Sequence, residues 1–211
     1  MRTQLLVIAK APLPGRVKTR LCPPCTPGQA AEIAAAALAD TLSAARAADA
    51  VRHVIVHSGQ IVAPGWRSTA QRGDGLDERL ANAFADTALP GTASMLIGMD
   101  TPQVSPALLD AIRAGLDEHD AVLGPAEDGG WWALALRDPA HAGALRGIPM
   151  STVDTGRLTA LAMRERGLRI GYGPPLRDVD TAIDARQVAD SCPYGTFAAA
   201  VRRHLPVGVA R

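Results

Sequence analysis

The sequence predicts an α/β protein, a three-layer α/β/α sandwich around a mostly parallel central sheet. Three observations lead there. Short apolar runs such as Gln4-Leu5-Leu6-Val7-Ile8-Ala9 and Met95-Leu96-Ile97-Gly98 are nearly continuous, as in strands buried on both faces. Longer helix-patterned segments separate them, two of which open on a cap followed by proline. Strands and helices alternate from end to end, which calls for right-handed crossovers between parallel strands. No repeat, low-complexity tract or linker divides the 211 residues, so one domain over 1–211 is expected.

Taken in order, Gln4 to Ala9 is a central strand, ended by Pro12, Pro14 and Gly15. Thr26-Pro27-Gly28-Gln29 is a capping-box pattern with proline at the first helical position, and it opens an Ala-rich helix to about Ala48, where alanine reflects helix preference. Val51 to His57 is the next strand. A poorly patterned stretch with Pro64 and Gly65 follows, then a helix from Leu76 to about Ala88 with Leu76, Leu80, Ala83 and Phe84 on one face. Met95 to Gly98 is a third buried strand, Ser105-Pro106 starts another helix, and Ala121-Val122-Leu123 resumes extended structure. Trp131 to Leu136 reads as a strand, Gly156 to Arg166 as a helix, Leu168 to Tyr172 as a short strand, and Thr181 onward as terminal helices.

Composition narrows the function. With 22 Lys+Arg against 21 Asp+Glu the net charge is +1, too even for a general nucleic-acid or anionic-membrane binder. Aromatic residues make up 3%, which argues against stacking platforms for single strands. No apolar run approaches the about 18 residues needed to span a bilayer, and the N-terminal run is too short for a signal-peptide core of about 7–15 residues. A cytoplasmic protein with reduced thiols is expected: Cys22 and Cys25 form a lone C-x-x-C that supplies half of a tetrahedral zinc site at most, and Cys192 is distant. His53 and His57, four apart in a strand, would lie about 13 Å apart, too far to share a metal. Neither a serine-hydrolase elbow nor a zincin pair is present.

In an open α/β sheet, ligands collect beyond the carboxyl ends of the strands. The loop after the first strand, Lys10 to Arg20, gathers Lys10, Arg16, Lys18 and Arg20 with no acidic residue among them. That suits a polyphosphate, Arg forking onto phosphate oxygens and Lys acting as a point charge, although the loop is neither a P-loop nor a dinucleotide fingerprint. A solvated basic loop is the plain alternative. After the third buried strand comes Asp100, placed for a hard cation that takes carboxylate and phosphate oxygens, or simply for capping the Thr101-Pro102 turn. In Asp178-Val179-Asp180 the two carboxylates share one side of an extended segment, and either could reach that cation; the alternative is N-capping of the next helix by Asp180 or Thr181. Gly124 to Trp132 is either a ligand-approaching loop, with Glu127 or Asp128 orienting an acceptor or acting as a base, or a hairpin turn. Gly73 to Leu80 reads as a loop entering a helix, where backbone N–H groups could meet a ligand.

Lys10-x-Pro12-x-Pro14-Gly15-x-Val17-Lys18-Thr19-Arg20-Leu21, Gly75-Leu76-x-Glu78-Arg79-Leu80, Asp100-Thr101-Pro102, Gly124-Pro125-Ala126-Glu127-Asp128-Gly129-Gly130 and Asp178-Val179-Asp180-Thr181 together resemble the DUF2064 family, over nearly the whole chain. The resemblance implies a nucleotide-diphospho-sugar transferase of the GT-A fold, commonly labelled a glycosyltransferase. It is similar to the guanylyltransferases of coenzyme F420 assembly and to molybdenum-cofactor nucleotidyltransferases. It further implies that Lys18 and Arg20 face nucleotide phosphates, with Lys10, Pro14, Gly15 and Arg16 in the same loop and Gly75, Arg79, Gly129 and Gly130 as further substrate contacts. Asp100 and Asp180 would hold Mg²⁺ or Mn²⁺, and the catalytic roles fall to Asp100, Lys18 and Asp128. Met150-Ser151-Thr152 stands where the family pattern has Trp-Ser-Thr, while the aromatic expected after Gly-Gly is present as Trp131. The implied partners are an NTP or nucleotide-sugar and a small acceptor, with no nucleic acid or membrane, and a homodimer is compatible. Glycosyl and nucleotidyl transfer use the same phosphate clamp, so both stay open, beside a catalytically silent nucleotide-binding protein.

Overall fold

Residues 1–205 are described by the computed structural model, and residues 206–211 of the expected domain lie outside the described residues. Within that range the chain runs β1 (Thr3–Lys10), α1 (Pro27–Ala47), β2 (Arg52–Ser58), β3 (Arg67–Ala70), α2 (Leu76–Thr87), β4 (Ala93–Ile97), α3 (Pro106–Gly115), β5 (Ala121–Pro125), β6 (Trp131–Leu136), α4 (Thr155–Glu165), β7 (Ile170–Tyr172), α5 (Ala182–Ser191) and α6 (Thr196–His204). The strands form one sheet in the order β3-β2-β1-β4-β6-β5-β7. β1 is central and parallel to both β2 and β4, as its unbroken apolar run predicts. β6 is antiparallel to both of its neighbours and is the reversal in an otherwise parallel sheet.

The alternation of side chains along β1 divides the core. Leu5, Val7 and Ala9 face α1 and α3, packing with Ala34, Leu38, Leu109 and Ile112. Leu6 faces the other way, toward Leu80 and Phe84 of α2 and Met163 of α4. A third cluster lies outside α1: Ala30, Ile33 and Ala37 meet Val188 of α5 and Phe197 and Val201 of α6, joined by Leu21 and Val179. α1 is therefore buried on two opposite faces, against the sheet and against the terminal helices. Its N-terminus carries the expected capping box, Thr26 and Gln29 exchanging bonds with each other's backbone.

Three details differ from the sequence expectation. β3 arises in the unpatterned stretch, as an edge strand paired only with β2. The alternation is broken twice, because no helix separates β2 from β3 or β5 from β6. Leu76, expected on the buried face of its helix, is 44% exposed. No helix among the described residues is long and apolar enough to cross a membrane, and all three cysteines are free.

Candidate active site at the carboxyl ends of β1 and β4

β1 ends at Lys10, and the chain then traverses the basic loop before a single 3₁₀ turn, Thr19–Leu21. Lys18 precedes that turn with φ 48°, in the left-handed region that residues with a Cβ seldom occupy. Leu21 is wholly buried in the third cluster and anchors the far end of the loop. From the other side of the sheet centre, β4 delivers Asp100 three residues after its last strand residue. The segment before α5 closes against it, Val179 N donating to the carbonyl of Asp100 at 3.0 Å. Val179 is fully buried, so its neighbours Asp178 and Asp180 turn outward toward the site.

These loops converge on one atom. The ammonium of Lys18 lies 2.8 Å from Asp100 Oδ1 and 3.6 Å from Asp180 Oδ1 and donates to the carbonyl of Val179. Arg20 reaches the other oxygen of Asp180 at 3.3 Å. Helix capping does not consume Asp180, because Thr181 is the N-cap of α5 and forms a capping box with Asp184. A cavity of about 280 Å³ opens here, lined by Lys10, Arg16, Lys18, Arg20, Asp100 and Asp180 among others.

A second cavity of about 330 Å³ shares Lys10, Met99 and Asp100 with the first and extends over the sheet. Its polar lining includes Gln71, Arg79, Asp128 and Asp178, and its apolar lining Ile8, Leu80, Leu96 and Met150. Gln71 is fixed by donating to the carbonyls of Ala9 and Val56. Arg79 is partly committed, since its guanidinium donates to the carbonyls of Gly73 and Asp74. Asp178 is the most perturbed group. Burial pushes its carboxyl up to about 7, and the nearby charges of Asp100 and Asp128 push the same way. Its Oδ1 is buried without a hydrogen-bond partner among the described residues.

Asp128 sits on the turn joining β5 to β6, so the segment is a hairpin and also borders the cavity. Asp128 accepts from Gly130 N at 2.8 Å. The hairpin is tied to the carboxylate segment by the bridge of Ala126 to Leu176 and by Arg177, which pairs with Glu127 at 2.5 Å and Asp184 at 3.2 Å. Glu127 is thereby occupied. Gly129, at φ +91°, packs where a Cβ would run into the carbonyl of Val153, which accounts for glycine there by close packing.

The structure thus brings together Lys10, Arg16, Lys18, Arg20, Asp100 and Asp180 in one cavity, and Arg79, Asp128 and Gly130 in the next. Pro14, Gly15, Gly75 and Gly129 lie outside both linings; Gly75 is the N-cap of α2. Met150 and Ser151, of the segment that departs from the family pattern, line the second cavity, as do Gln71 and Thr155, which the sequence does not single out. The signal for Gln71 was absent, since it follows an edge strand without hydrophobic pattern.

Comparison with solved structures places this arrangement in a known fold. The chain is similar to a protein from Desulfovibrio desulfuricans G20 whose assignment as a nucleotide-diphospho-sugar transferase is provisional: 26% identity, TM-score 0.87, covering 96% of this chain and 95% of that one. It also matches the manganese complex of Rv0371c from Mycobacterium tuberculosis H37Rv, at 20% identity and TM-score 0.58 over 90% of this chain and 98% of that one. A third match is CMP:2-keto-3-deoxy-manno-octonic acid synthetase complexed with CTP, at 11% identity and TM-score 0.60 over 92% and 99% of the two chains. No curated protein matches by sequence. The fold is that of the nucleotide-diphospho-sugar transferases and related nucleotidyltransferases. A family model matches residues 29–152, more than half of the chain, and by that match the protein belongs to the DUF2064 family, described as an uncharacterized protein conserved in bacteria.

Proposed function

We propose that the protein is a divalent-metal-dependent, nucleotide-using transferase of the cytoplasm, acting as one domain over residues 1–211. It binds an NTP or a nucleotide-sugar and moves the nucleotidyl or glycosyl group to a small acceptor. One observation carries this reading: oxygens of Asp100, Asp180 and Val179 converge on a single cationic atom at the base of a cavity rimmed by Lys10, Arg16 and Arg20. Oxygen donors gathered around a cation, next to a place for phosphates, are the setting that Mg²⁺ and Mn²⁺ use. The manganese complex of Rv0371c supports a divalent metal on this fold, and the CTP complex of the synthetase supports a nucleotide.

Asp100 and Asp180 would hold the ion, which when bound supplies Lewis-acid neutralisation of phosphate oxygens. Lys10, Arg16, Lys18 and Arg20 would bind the phosphates and offset charge growing on the departing group. Asp128, facing the second cavity, would orient the acceptor or take its proton. Four basic residues around a cavity of about 280 Å³ favour a triphosphate, and hence nucleotidyl transfer with pyrophosphate leaving, over a diphosphate donor.

Thermal-shift titration with Mg²⁺ or Mn²⁺ against NTPs and nucleotide-sugars tests the reading, because a ligand present at 100 times its Kd stabilises by about 2.7 kcal/mol. A metal-dependent shift with one NTP supports nucleotidyl transfer, and one with a nucleotide-sugar supports glycosyl transfer. No metal-dependent shift with any of them overturns the reading in favour of a silent protein. Asp100→Asn and Asp180→Asn are each expected to lower metal-dependent activity by about 10–100-fold with the fold intact by circular dichroism. Turnover near the wild-type rate in both would remove the metal assignment.

A further inference from the structure

Lys18 does more than line the phosphate cavity. Its side chain is only 7% exposed, and its ammonium occupies the point where Asp100, Asp180 and Val179 present their oxygens. The backbone adopts an unfavourable left-handed conformation at φ 48° to aim it there. A univalent cation is thus held by the same oxygens that a divalent ion would need, and the two cannot occupy that point together.

We propose that Lys18 is the resident counter-ion of the carboxylate pair and leaves it when a polyphosphate offers its ammonium a new anionic partner, so that divalent cation and polyphosphate load as one coupled event. This rests on the metal reading proposed above. Withdrawing the ammonium alone would leave Asp100 and Asp180 facing each other beside Asp178, which desolvation and like charge disfavour. Binding the metal alone would restore that balance but strand a largely buried ammonium without an anion. Binding both satisfies every group: the carboxylates keep a cation, and Lys18 exchanges carboxylate for phosphate oxygen. The coupling is reciprocal, so polyphosphate raises metal affinity by the factor by which metal raises polyphosphate affinity. Arg20, already on the far oxygen of Asp180, steadies that carboxylate during the exchange.

The test uses the full chain and two probes, Mn²⁺ alone and preformed Mn²⁺–tripolyphosphate. If Lys18 occupies the site for most of the time, its removal returns that fraction to the metal, and Lys18→Met should bind Mn²⁺ alone at least about tenfold tighter than wild type by electron paramagnetic resonance of the free ion. The same variant should bind Mn²⁺–tripolyphosphate more weakly by calorimetry, so the two probes move in opposite directions. Its melting temperature in chelator should fall below that of wild type and recover with Mn²⁺, while wild type responds little. Mn²⁺ binding no tighter in Lys18→Met than in wild type, with binding lost in Asp100→Asn, would overturn the exchange and leave the metal site standing. Mn²⁺ binding equally well to Asp100→Asn and Lys18→Met would overturn the metal reading itself. Should Lys18→Met be too unstable to assay, Lys18→Gln, which keeps a hydrogen-bond donor but loses the charge, carries the same pair of expectations.

Discussion

Asp178 borders the same cavity as Asp100 and Asp128, and its carboxyl is the one that burial and its neighbours' charge raise to about 7. In the unfolded chain an aspartate titrates near 3.9, so at intermediate pH the folded protein binds a proton that the unfolded chain has released. In the absence of metal, stability should therefore fall as pH rises from about 4 to about 7 and level off above. Asp178→Asn removes that slope and is expected to be the more stable protein at pH 8, by an amount on the order of a few kcal/mol, with the gap closing toward pH 4. Urea unfolding in chelator across this range checks it; parallel profiles for the two proteins would refute it. At this scale the sequence was informative where chemistry is local. Asp100 could be picked out just beyond a strand, and Lys18 and Asp180 within the loops that follow β1 and β7. That Asp178 and Asp180 would face different cavities from one short segment, and that Asp178 would be the desolvated one, depends on how Val179 is buried beneath them.

Helix α1 was legible at its start and misread along its length. Thr26, Pro27 and Gln29 announce the N-terminus because capping is settled within one turn. Its alanines, attributed to helix preference, have a second cause: Ala34 faces the sheet while Ala30 and Ala37 face α6, and small side chains let α1 lie between both layers. Ala37→Leu should thus overpack this interface and cost about 1–3 kcal/mol, whereas Ala35→Leu on the exposed side should be nearly neutral. Chemical denaturation of the two variants distinguishes packing from propensity, since propensity alone would make them alike. β3 was missed because Arg67-Ser68-Thr69-Ala70 has a single neighbour strand and buries almost nothing, so hydrophobic periodicity had nothing to record. The direction of β6 was left open between the hairpin and loop readings of Gly124 to Trp132, because a buried apolar run reads the same in parallel and antiparallel pairing.

Across the molecule, the third hydrophobic cluster is the foundation of the site. It contains Leu21, at the end of the basic loop, and Val179, between the two outward carboxylates, and both stand on α1, α5 and α6. Phe197 is fully buried within that cluster. Phe197→Ala is expected to cost about 3–5 kcal/mol and to weaken Mn²⁺ binding at temperatures where the variant remains folded. Destabilisation with unchanged Mn²⁺ affinity would show that the cluster carries the fold without setting the site. The cluster itself was not legible in the sequence, because it joins segments from both ends of the chain.

The backbone bond from Val179 to the carbonyl of Asp100 has a consequence for how the protein is made. Synthesis proceeds from the N-terminus, and the basic loop and Asp100 are in place long before Asp180 is added. A nascent chain carries the basic loop for most of its synthesis while lacking the second carboxylate and the helices that seat it. The pairing of Lys18 with both carboxylates therefore forms only after the late segment through Asp180 has been made and has closed on Asp100.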